Sequence, residues 1–132
     1  MSDWLHVAAI ARIDDIRFND AVFDAEAYFG KSCLWNDDEE VWDDVTVNPE
    51  NYLPMGSEGS LQLYQWVNPD PSAMAAYNIM IFGDLRDVDD IDLIIEWFKN
   101  KLNNKELMVR QACITVNSNT DYKTWTYEFE EE

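Results

Sequence analysis

The sequence predicts an α+β domain built on one antiparallel sheet, and three observations carry that prediction. Five runs divide their residues between two faces with period two, at least one face being largely apolar, a segment near residue 95 carries a helical apolar stripe, and turn-forming residues separate them. The elements follow as β, α, an irregular segment, β, β, α, β, β, an order in which neighbouring strands pair antiparallel through short turns.

Residues 4 to 13, WLHVAAIARI, place Leu5, Val7, Ala9, Ala11 and Ile13 on one face, and His6, Ala8, Ile10 and Arg12 on the other. A strand buried on one face and mostly covered on the second reads this way. A short helix is expected from about Asn19 to Phe29, with Val22, Phe23 and Phe29 as its stripe and Gly30 as its cap. From Leu34 to Gly59 no period holds, so this long acidic segment is expected to be a functional loop or to hide a short strand around Val45 to Val47. Leu61 to Val67 and Ala75 to Phe82 alternate again and read as a hairpin across an NPDPS turn at Asn68 to Ser72. The next stretch, GDLRDVDD, supplies a glycine turn and candidate N-caps for a second helix. In that helix Ile91, Ile94, Ile95, Phe98 and Leu102 form one face, with aspartates at its start and Lys99, Lys101 and Lys105 at its end complementing the macrodipole. Two final strands, Leu107 to Val116 and Tyr122 to Phe129, are joined by the polar turn NSNTD.

This order resembles the ferredoxin-like split βαβ arrangement: an antiparallel sheet with two helices on one face, here with a long acidic loop after the first helix and an extra C-terminal strand. One domain, residues 1–132, accounts for the whole chain. The fold hosts too many activities to name one.

Composition narrows the class of partner. The chain carries 27 acidic and 9 basic residues, a formal charge of -18, yet 47% of it is hydrophobic. Disordered chains with such charge lack apolar residues, whereas six Trp, six Tyr and six Phe here can fill a core. The acidity is therefore expected on the surface of a folded domain, where it repels nucleic acid and anionic membranes and attracts cations or basic protein patches. Cys33 and Cys113 lack CxxC spacing and read as two buried free thiols. The N-terminus shows no secretion signal, and no run approaches the ~20 apolar residues of a membrane span, so a soluble cytoplasmic protein is expected.

Little points to catalysis. His6, the single histidine, has no neighbouring nucleophile in sequence and reads as a strand histidine making an ordinary hydrogen bond. The acidic run lacks the spacing of an EF-hand loop, and although Asp84, Asp87, Asp89 and Asp90 could gather around Mg²⁺, helix capping explains them more simply; no metal or other cofactor is assigned. MGSEGS, residues 55 to 60, is not a P-loop and reads as a glycine turn entering a strand.

The acid clusters remain. Asp37, Asp38, Glu39, Glu40, Asp43 and Asp44 fall within eight positions beside Trp35 and Trp42, with Tyr52 further along, and Asp87, Asp89 and Asp90 precede the second helix. General solubility is one explanation. Clustered acids set among aromatics also suit an interface in which charge steers and aromatic anchors supply affinity. In size and charge alone the chain is similar to phage-encoded anti-restriction and anti-CRISPR DNA mimics and to the immunity proteins of nuclease toxins. The expected function is non-enzymatic: occupation of a basic surface on a nucleic-acid-handling protein by these clusters. The alternative is a small-molecule or metal-binding ferredoxin-like domain, with or without enzymatic activity, using the uncovered sheet face and the GSEG loop.

Overall fold

A computed structural model describes residues 4–14, 24–32, 35–36, 41–42, 52–56, 58–67, 77–88, 90–103 and 107–127. The protein is a mixed α+β fold. In chain order the elements are β1 (Trp4–Ile13), α1 (Ala25–Phe29), β2 (Trp35–Asn36), β3 (Val41–Trp42), β4 (Gly59–Val67), β5 (Tyr77–Arg86), α2 (Ile91–Leu102), β6 (Val109–Asn117) and β7 (Tyr122–Thr126). Five strands form one antiparallel sheet in the order β4-β5-β1-β6-β7, and β2 and β3 form a separate two-stranded sheet.

The core forms where alternation and helical stripe meet. Leu5, Val7, Ala9, Ala11 and Ile13 of β1 are buried, as are Tyr77, Ile79, Ile81 and Leu85 of β5 and Val109, Ala112, Ile114 and Val116 of β6. Against this face α2 lays Ile94, Ile95, Phe98 and Leu102, the stripe read from the sequence. At its ends Asp90 accepts from the amide of Asp92, and Lys99 and Lys101 sit in the last turn. The shorter α1 lies on the same side: Phe29 stacks on Phe98 at 6.5 Å, and the Lys101 ammonium donates to the Tyr28 carbonyl at 3.2 Å. Phe98 also meets Trp125 edge to face at 6.1 Å, so one side chain joins both helices to β7.

Several expectations need correction. The second face of β1 is open: His6, Ala8, Ile10 and Arg12 are exposed, because both helices pack on the other side. The first described helix residue is Ala25, since the Asp24 carboxylate accepts from the Ala27 amide and caps the helix there; residues 19 to 23 lie outside the described residues. Gly30 ends α1 with φ +123, and a Cβ there would lie 2.6 Å from the Tyr52 carbonyl carbon, so the chain needs glycine for both conformation and space. Gly83 is no turn. It lies inside β5 with φ +152, where a Cβ would meet the Ser60 oxygen at 2.2 Å, and the strand runs on because Leu85 is fully buried.

The segment read as irregular contains β2 and β3 and then returns to the core. Tyr52 and Leu53 are buried, the Leu53 amide donates to the Lys31 carbonyl at 2.8 Å, and the Lys31 ammonium lies 5.6 Å from the Tyr52 ring centre. Residues 45 to 47 and the NPDPS turn lie outside the described residues. Cys113 is a half-buried free thiol on the open face, a correction to the buried reading, and Cys33 lies outside the described residues. No helix among the described residues is long and apolar enough to cross a membrane.

Candidate interaction surface

The acidic segment begins at β2 and β3. Their register sets Trp35 opposite Trp42 and Asn36 opposite Val41, so the backbone brings the two tryptophan positions together across a two-strand ladder. Asp37, Asp38, Glu39 and Glu40 join these strands and, with Asp43 and Asp44, lie outside the described residues. Tyr52, grouped with these aromatics in the sequence reading, is only 8% exposed and belongs to the core.

The acids before α2 divide among local roles. Asp84 belongs to β5 and bonds His6, so it is separated from the helix cap. Asp87 adopts φ +58 after the strand ends, and its carboxylate lies 3.7 Å from the Arg86 guanidinium. Asp90 caps the helix, Asp89 lies outside the described residues, and Asp92 bonds the Lys123 ammonium of β7. That hydrogen bond is the main reason the Lys123 pKa is raised above its ordinary 10.5; burial acts against it, and the charges of Asp92, Asp121 and Asp90 add to it. Among the described residues no three potential ligands gather as a metal site.

The described residues form a framework in which several acids and bases meet locally. Within the framework Arg86 meets Glu58 at 2.7 Å, Arg110 meets Asp14 at 2.7 Å, and Lys99 meets Glu96 at 3.3 Å.

Opposite the helices, the open sheet face carries an apolar patch that the sequence reading did not single out. Tyr64 is 61% exposed, Trp66 57%, Met80 48%, Phe82 39% and Ile10 36%. Register makes them contiguous: Ile10 lies beside Met80 and Met80 beside Tyr64, whose ring stacks on Phe82 at 5.7 Å. The available signal was apolar residues on both sides of β4 and β5, since a strand with one solvated face alternates with polar residues. At one end of the patch Asp84 accepts a 2.6 Å hydrogen bond from His6 Nδ1, and at the other Arg12 stands beside Asn78. No known protein family, no curated protein and no solved structure matches the chain, so its own residues carry the functional argument.

Proposed function

We propose that this protein is a non-enzymatic binding protein whose acidic segment, Trp35 to Asp44, together with Asp87, Asp89 and Asp90 before α2, occupies a basic surface of a nucleic-acid-handling protein in the manner of a DNA-mimic inhibitor. The observation that carries the reading is the clustering of acid along the sequence: Asp37, Asp38, Glu39, Glu40, Asp43 and Asp44 place six carboxylates within eight positions beside Trp35 and Trp42. Acid serving solubility alone has no need to cluster around aromatics, whereas acid concentrated in one segment produces the directed field that steers a basic partner. The β2–β3 register supports the same reading, because it sets two tryptophan positions at the base of the acidic run, where an anchor is needed.

A ferredoxin-like arrangement of the sheet goes with this function, a reading supported by β1 lying between β5 and β6 with β4 beyond β5. The β2–β3 pair and the added β7 are the departures from that pattern.

The test is capture from a lysate freed of nucleic acid, followed by competition with DNA or RNA. Expected is retention of a nucleic-acid-handling protein that nucleic acid displaces and that added salt weakens. Changing Asp37, Asp38, Glu39 and Glu40 to Asn and Gln should slow association and flatten its salt dependence. Retention that survives this neutralisation unchanged sinks the proposal.

A further inference from the structure

We infer that the open face of the five-strand sheet binds a second copy of this chain, so that the protein forms a symmetric dimer through Tyr64, Trp66, Met80, Phe82 and Ile10. The face combines exposed apolar surface with near-zero charge. Along the registered rows from Asp84 to Arg12 these two residues are the only formal charges, and His6 already bonds Asp84. On a chain of charge -18, a like-charged copy meets little local repulsion along these rows. A basic partner finds no net acid here to draw it.

The face is also self-complementary. Asp84 lies opposite His6, and Arg12 lies six residues further along β1, about 20 Å away. Arg12 has no ion-pair partner among the described residues. A two-fold axis between the sheets and across the strands reverses the order of the rows. It brings Asp84 of each copy toward Arg12 of the other and lays the Phe82 row on the Met80–Ile10 row. An axis along β1 would instead set Asp84 against Asn117 and lay Phe82 on Thr115 and Tyr64 on Thr126, polar positions rather than apolar ones. Isologous interfaces require this kind of self-matching patch. Five strands spaced ~4.8 Å and about four rows spaced ~7 Å give a plan area near ~670 Å² per copy, or ~1,300 Å² in all, at the low end of the range of specific interfaces.

Sedimentation equilibrium of the full chain at about 0.05 M and about 0.5 M NaCl tests this. Expected is a reversible monomer–dimer equilibrium that salt strengthens, the opposite of the salt response expected for capture of a basic partner; either reading can therefore fail alone. Met80→Lys, at an exposed position and with one negative charge fewer in the balance, should raise the dimer dissociation constant about tenfold or more while the melting temperature of the monomer stays unchanged. Arg12→Asp and Asp84→Arg should each weaken the dimer, and the double exchange should restore it to within about threefold. Four results overturn the inference: a monomer at both salt concentrations, a dimer indifferent to Met80→Lys, a double exchange no better than either single one, or a monomer whose capture of another protein Met80→Lys abolishes.

Discussion

Phe98 shows how much of this fold rests on single side chains. It is fully buried and meets Phe29 of α1, Trp97 of its own helix and Trp125 of β7. Deleting its ring removes both transfer energy and the contacts that hold three elements together, and the core cannot collapse into the space without moving a helix. Phe98→Ala should therefore cost about 3–5 kcal/mol, whereas Glu96→Ala, exposed one helical face away, should stay within about 0.5 kcal/mol. Urea unfolding of the two variants checks this, and equal midpoints would remove Phe98 from the core. His6 is a contrasting case: its hydrogen bond was legible from a lone strand histidine, but its partner, Asp84, emerged only from the register between β1 and β5.

At the scale of elements, the join between α2 and β7 is electrostatic as well as apolar. Lys123 bonds Asp92 in the first turn of the helix, and that bond raises its pKa. A cation whose folded pKa lies above its unfolded value of 10.5 contributes stability that is fully present below that value and is lost as pH rises through the folded pKa. Melting temperature measured between pH 9 and 12 should fall more steeply for the parent than for Lys123→Met, with tyrosine ionisation common to both; parallel profiles would show that the pair contributes nothing to folding.

The helix itself was readable because five apolar positions at helical spacing leave no strand alternative. β1, β6 and β7 were readable by alternation. The β2–β3 pair was not, since two-residue strands are too short to express any period, and the tryptophan pairing is a long-range fact of register. Gly83 was misread as punctuation because glycine most often marks a turn. The buried Leu85 beyond it was the signal that the strand continues. For the candidate surface, the acid clusters were plain in the sequence, whereas the open apolar face was hidden, because which side of a strand meets the helices is decided by packing rather than by alternation.

At the scale of the molecule, charge -18 sets a self-repulsion that folding must overcome. Raising NaCl from about 0.05 M to about 0.5 M shortens the screening length from ~14 Å to ~4 Å. The melting temperature of the Met80→Lys variant, chosen to keep the protein monomeric, should rise by about 3 °C or more over that interval. At matched ionic strength Mg²⁺ and Na⁺ should act alike if the acids bind no ion specifically. A saturable extra rise with Mg²⁺ would instead reveal a defined site, worth about 2.7 kcal/mol at a hundredfold excess over its dissociation constant.

The position of β1 has a consequence for how the chain reaches its fold. The first strand sits at the centre of the sheet, between β5 and β6, so Ile13 pairs with Tyr77 and His6 with Asn117. During synthesis β1 emerges first and finds neither neighbour, since chain growth of about 5–20 residues per second delays both by seconds. Its apolar face waits uncovered over that interval. Non-local pairing of this kind slows folding, because loop closure is completed before any contact repays it. The sheet is thus assembled around its oldest strand by strands made later, and until they arrive the growing chain carries an uncovered apolar strand.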